Sequence, residues 1–155
     1  MDIRLITVGK TDSAHVAALV EDYAARIRRF VPFDVAYLPD PRRTLPVERQ
    51  KQLEAEALLR SLRAGDRVVL LDEHGAQYTS LQFAERLQRQ LNASCKRLVF
   101  VVGGPYGFAP DVYARADARI SLSPLTFSHQ LVRPIFAEQL YRAFTILRGM
   151  PYHHE

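Results

Sequence analysis

Residues 98–108 read LVFVVGGPYGF, an apolar run that ends on two glycines, a proline and a third glycine at position 107. A strand that is apolar at every position, instead of every second one, is buried on both faces, the pattern of a parallel sheet covered by helices. RVVLLD at 67–72 has the same character. Outward from these two runs, segments of strand length alternate with segments of helical period. Strands are expected at 3–8, 33–38, 67–72, 97–102 and 118–123. The first helix follows Asp12 and Ser13, with Val16, Leu19, Val20, Tyr23 and Ile27 on one face, and the second opens at Pro46 with Leu58, Leu59 and Leu62 inward. Ser80 caps a third through Phe83, Ala84, Leu87 and Leu91, a short helical turn lies near Asp111, and the last helix runs from about Ser128 to Arg148. The expected fold is α/β: a mainly parallel sheet covered by helices on both faces.

The composition narrows the class. A chain of 155 residues with 48% hydrophobic side chains suffices for one domain with a sizeable core, so a single domain over 1–155 is expected. Lys and Arg exceed Asp and Glu by 21 to 17, a net +4 that mildly favours anionic partners. Cys95 is the only cysteine, which excludes an internal disulfide and a thiolate zinc cluster and suits a reducing, cytoplasmic compartment. MDIRLITVGK carries Asp2 and Arg4 within its apolar run, so it reads as a strand and not as a leader; no membrane segment is expected.

Parallel α/β sheets bind ligands beyond the carboxyl ends of their strands. Three such ends are unusual here: LLDEHG at 70–75, VVGGPYG at 101–107 and SLSPLTFSH at 121–129. The bare backbone of Gly103 and Gly104 would let a planar or charged ligand approach closely, although the pattern alone equally suits a simple turn. A Rossmann fingerprint would need G-x-G-x-x-G after an early strand, and a P-loop G-x-x-x-x-G-K-[ST]; neither string occurs.

VVGGPYG, SLSPLTFSHQLVR at 121–133, AEQLYRAFTILRG at 137–149 and the terminal PYHH, together with ITVGK near the start, closely resemble the bacterial large-subunit (23S) rRNA pseudouridine N3-methyltransferases of the SPOUT superfamily. The resemblance spans the whole chain. It implies a C-terminal deep trefoil knot, a rare exception to the rule that chains do not thread their own loops. It implies S-adenosyl-L-methionine as methyl donor, in a pocket formed by Leu71, Gly103, Gly104, Leu122, Ser123, Pro124, Leu125, Thr126 and Phe127. It further implies a homodimer, action on the assembled ribosome and no metal.

The reaction implied is methyl transfer to N3 of a pseudouridine in large-subunit rRNA, which asks the protein for alignment and for removal of the imide proton. The candidate residues lie in the last helix and tail. His129 and Arg133, four apart near the cofactor loop, are expected to face substrate, His129 as proton acceptor or as a packing histidine. Glu138 and Arg142, also four apart, form a helix-surface ion pair or present Arg142 to a phosphate or partner subunit. The PYH tail implies roles for Tyr152 and His153, and the choice of base between His129 and His153 stays open. Adjacent His153 and His154 make a poor chelate. Pro134 requires either a late helix start near Arg133 or a kink. RNA contact is expected from dispersed basic residues such as Arg4, Lys10, Arg28, Arg29, Arg42 and Arg43. A tRNA methyltransferase and a non-catalytic ribosome-associated module are the rival classes.

Overall fold

The computed structural model describes residues 1–41 and 44–154. Arg42 and Arg43, two of the expected RNA contacts, and Glu155 lie outside the described residues.

β4 (Arg97–Val102) explains the architecture. All six of its residues are buried, and because side chains alternate across a strand they serve two cores. Leu98, Phe100 and Val102 pack with Ile3, Leu5, Ala24, Ile27, Phe136, Leu140 and Phe144; Val99 and Val101 pack with Ile6, Ala55, Leu58, Val68, Leu70 and Val112. The first core lies under α1 (Ala14–Ile27), α3 (Ser80–Asn92) and α5 (Val132–Leu147), and the second under α2 (Val47–Ser61) and α4 (Pro110–Arg115). Between them runs a five-stranded sheet whose neighbouring strands are all parallel. β1 (Asp2–Val8), β2 (Phe33–Leu38), β3 (Arg67–Gln77) and β5 (Ala118–Ser121) join β4 in the order β2-β1-β4-β3-β5.

Several boundaries differ from expectation for local reasons. β3 does not stop at residue 72: its pairing with β5 shifts between Leu71 and Ala76, so Asp72–Gly75 bulge out before pairing resumes at Ala76. Gly75 sits there because a Cβ would lie 2.7 Å from the backbone of Arg119 and Ile120. β5 ends at Ser121, since the Ser121 hydroxyl donates to the Ser123 carbonyl at 2.8 Å and turns the chain. The cap of α3 is Thr79, one residue before the expected Ser80. Its hydroxyl accepts from the Gln82 N–H at 3.2 Å, while the Gln82 side chain accepts from the Thr79 N–H at 2.9 Å.

The last helix begins at Val132 instead of Ser128, which resolves the Pro134 alternatives in favour of the late start. Pro134 falls in the first turn, where its missing N–H has no intrahelical partner to lose. Ser128 closes the preceding turn by accepting from the N–H groups of Gln130 (3.1 Å) and Leu131 (3.2 Å). Gly149, at φ +65°, ends α5 and sends the tail back along it.

Candidate active site

The carboxyl ends of β3, β4 and β5 border an open cleft of about 190 Å³. Its walls include Leu71, Gly103, Gly104, Leu122, Ser123, Leu125, Thr126 and Phe127, eight of the nine residues expected to hold the cofactor. Pro124 is in the same loop but does not line the cleft. Leu125 sits at the rim, 74% exposed. The loop is stiffened from within: the Ser123 hydroxyl accepts from the Leu125 N–H at 3.0 Å.

Asp72 and Glu73, thrown outward by the β3 bulge, also line the cleft. Tyr113 donates its phenol proton to Asp72 at 2.8 Å, and the His74 N–H donates to the other Asp72 oxygen at 3.0 Å. Burial, joined by the hydrogen bond to Asp72 and by its charge, pushes the Tyr113 phenol up to about 12, so it remains a donor at neutral pH. Glu73 accepts from the Thr126 hydroxyl at 2.6 Å and thereby ties the β3 bulge to the 122–127 loop. Among the described residues that line the cleft none is Lys or Arg. Two carboxylates without a fixed cation favour a positively charged ligand. Of the strand end LLDEHG only Leu71 is expected at the site from sequence. The acidic pair beside it was the available signal.

The glycines act differently from expectation. Gly103 and Gly104 do form the cleft wall, but their missing side chains open space elsewhere. A Cβ on Gly103 would meet the Phe108 ring at 3.0 Å, and one on Gly104 would meet the Glu54 carboxyl at 2.5 Å. The bareness of the loop answers its own supports as well as any ligand.

His129 lines the cleft, as a substrate-facing residue would. Arg133 does not. It is 1% exposed, and its guanidinium donates to the carbonyls of Val8 (2.8 Å), Gly9 (3.0 Å) and His129 (3.0 Å) and to the Thr11 hydroxyl (3.1 Å). The expectation that Arg133 meets substrate is therefore corrected: four of the five N–H groups of its planar fork are taken by the chain itself, in a fully buried position. It ties the end of β1 to the turn that carries His129.

The tail is ordered on α5. Arg142 pairs with Glu138 at 2.7 Å, Tyr152 donates to the same Glu138 oxygen at 2.9 Å, and the His153 ring lies 3.0 Å from Arg142. The Arg142 guanidinium covers the Tyr152 ring at 4.8 Å, and Tyr141 meets it edge-on. Burial, and then the bond to Glu138, push the Tyr152 phenol up. Glu138 and Arg142 are thus the anchor of the tail, more than a surface pair. Arg142 comes ten residues after Val132, about 15 Å further along the helix at 1.5 Å per residue. Within one chain the candidates fall into two groups, His129 at the cleft and Arg142, Tyr152 and His153 clustered on Glu138, six residues into α5 from Val132. Of the expected RNA contacts, Arg4 pairs with Asp34 at 2.8 Å and Arg28 with Glu21 at 2.7 Å.

Residues 1–153 match the family described as "Predicted SPOUT methyltransferase". The chain belongs to the SPOUT methyltransferase family. Among curated SPOUT relatives, a protein of Christiangramia forsetii named "Ribosomal RNA large subunit methyltransferase H" is 49% identical over 156 residues, covering 99% of each chain. Proteins of the same name from Bacteroides thetaiotaomicron and Flavobacterium johnsoniae are 49% and 47% identical over 157 residues, covering 100% of each chain. A solved structure of a probable methylase family protein from Haemophilus influenzae superposes with a TM-score of 0.54 at 11% identity, over 99% of this chain and 70% of that one. At that identity the superposition supports the fold alone. For a SPOUT methyltransferase the implied methyl donor is S-adenosylmethionine, and the residues of the cleft suit it: its ammonium and sulfonium complement Asp72 and Glu73, and exposed loop backbone is available to its purine edge and carboxylate.

Proposed function

We propose that the protein methylates N3 of a pseudouridine in 23S rRNA, taking the methyl group from S-adenosylmethionine, with the single domain of residues 1–155 carrying the activity. The observation that carries this reading is the anionic cleft at the ends of β3, β4 and β5 with His129 on its wall. The full-length similarity to proteins named as large-subunit rRNA methyltransferases supports the substrate class. When bound, the donor supplies an activated methyl on a sulfonium. The chain's part is to hold and align. Asp72 and Glu73 attract the cation, the 103–107 and 122–127 loops fix its position, and Val132 closes one apolar side. The His129 imidazole accepts the N3 proton of the incoming base, which has to be unstacked to reach the cleft.

Arg142, Tyr152 and His153 join this chemistry from the second copy of a homodimer, since they cluster on Glu138 and do not line the cleft of their own chain. His153 would then position the base or share in proton handling. The deep knot, the assembled ribosome as substrate and a cytoplasmic location belong to the same proposal. No helix of the described residues is long and apolar enough to cross a membrane.

The test is transfer of labelled methyl from S-adenosylmethionine to ribosomes lacking the modification, with naked 23S rRNA and bulk tRNA alongside, followed by nucleoside mass spectrometry. Label in a methylated pseudouridine from ribosomes is the expected result. Label in tRNA alone would refute the substrate assignment, and no label in any sample would refute the activity.

A further inference from the structure

Glu54 is an acidic side chain on α2 that is only 7% exposed. It projects into a narrow slot on the opposite side of the glycine loop from the cofactor cleft, against Val8, Leu38, Leu58, Val101 and Phe108. Gly103 and Gly107 border both spaces, so the loop is a wall one backbone thick. That wall is a tight turn: the Gly107 N–H donates to the Gly104 carbonyl at 3.2 Å, and Gly107 has φ +79°. A stiff turn of this kind moves as a unit, so its height over the cleft is set by what lies beneath it. What lies beneath Gly104 is the Glu54 carboxyl, in the volume a side chain at 104 would fill.

We propose that Glu54 is a positioning residue for the methyl donor, its carboxyl bearing on Gly104 from behind and setting the height of the 103–107 loop against the bound cofactor. The inference rests on the reading of the cleft as the S-adenosylmethionine site. A carboxyl in an apolar slot is stable there as the neutral acid and is driven out as the anion. The charged groups that face it are Asp40, from the segment after β2, and Lys51, one turn earlier on α2; β1, β4 and α4 present Val8, Val101 and Val112. Burial, then repulsion by Asp40, push the Glu54 carboxyl up to about 7 against the pull of Lys51. Loop support is therefore present below neutral pH and is lost as pH rises through about 7, where the acid ionises.

The experiment measures S-adenosylmethionine affinity by calorimetry from pH 5.5 to 8.5 on the full chain, with circular dichroism melts confirming each variant's fold. If the competent loop needs the neutral acid, affinity of the unaltered protein falls about tenfold between pH 6 and 8, in proportion to the competent fraction. The Glu54 contribution is read from the difference between variants, which cancels whatever else in the cleft responds to pH. Glu54→Gln, a neutral isostere, flattens the profile to within about threefold, on the same fractional-competence arithmetic. Gly104→Ala weakens binding at every pH, and adding Glu54→Ala to it restores part of the loss, a coupling expected only if the two positions bear on each other. An unchanged pH step in Glu54→Gln, or strict additivity of the two alanine changes, would overturn the role of Glu54 and leave the cofactor reading standing. No S-adenosylmethionine binding by the unaltered protein at any pH would overturn both.

Discussion

Replacing Arg133 by methionine keeps the aliphatic stem and removes a guanidinium that makes four hydrogen bonds from a fully buried position. Three of the acceptors are carbonyls, of Val8, Gly9 and His129; each loses the arginine, and among the described residues only Gly9 keeps another side-chain donor, the Thr7 hydroxyl at 3.4 Å. Leaving a buried polar group unpaired costs about 1–3 kcal/mol. The gain from no longer desolvating a cation offsets part of the sum, because burial pulls the Arg133 guanidinium down from its ordinary value even against the favourable Asp12 and Asp40 charges. The net expectation is a loss of about 3–5 kcal/mol. At 2–4 °C per kcal/mol for a domain of this size, that is roughly 10–15 °C in melting temperature. Urea titrations at one fixed protein concentration should show the midpoint falling with the slope unchanged. Arg133→Lys keeps the charge but not the planar fork, and falls between the two. If Arg133 instead contacted substrate, Arg133→Met would retain stability and lose turnover alone. A stability loss under about 1 kcal/mol, the range of an exposed pair, would refute the reasoning.

Asp72→Asn removes one of two carboxylates from a cleft with no fixed cation among its described residues; S-adenosylmethionine affinity should fall about tenfold, some 1.4 kcal/mol, in calorimetry. At the other end of the sheet Asp66 pairs with Arg97, both buried, so Asp66→Asn strands an arginine and should cost about 3–5 kcal/mol in denaturant titration without altering cofactor affinity. Burial opposes ionisation of Asp66, but the Arg97 hydrogen bonds and charge, with the Arg63 N–H, hold its carboxyl below the usual range. The stabilisation from that pair is accordingly complete above the unfolded carboxylate value near 4 and lost as pH falls through the lower folded value, a slope that acid titration of the unaltered protein shows and the variant lacks.

The sheet was legible because burial on both faces writes itself as uninterrupted apolar runs, and β4 is the plainest case. Where the cleft lies was legible because strand ends in a parallel sheet are where ligands sit, and of the nine residues the resemblance implies eight line this one cleft. What escaped depends on contacts distant in sequence. The β3 bulge that presents Asp72 and Glu73 follows from the fit of Gly75 against the Arg119–Ile120 backbone. Glu54 stands fifty residues from Gly104 in a run, KQLEAEALL, that reads as an ordinary polar helix face. Arg133 looked like a substrate ligand because helical spacing alone cannot tell which neighbour from the β1 end, 124 residues away, takes its hydrogen bonds.

The separation of the candidates along α5 turns the dimer into a testable requirement. Truncation after Met150 removes Tyr152 and His153 but leaves the cleft, and His129→Ala empties the cleft wall but leaves the tail anchored on Glu138 and Arg142. Each variant alone should be inactive on ribosomes while still binding S-adenosylmethionine. If cleft and tail come from different copies, co-expressing the two variants yields mixed dimers in which one site combines a whole cleft with a whole tail. Random pairing makes about half the dimers mixed, each with one working site of two, so activity should return to about one quarter of the unaltered level. If cleft and tail served the same chain, every site in every combination would lack one of them. A mixture no more active than its components would then refute the shared site, and it would require the tail to leave Glu138 and Arg142 to reach the His129 of its own chain.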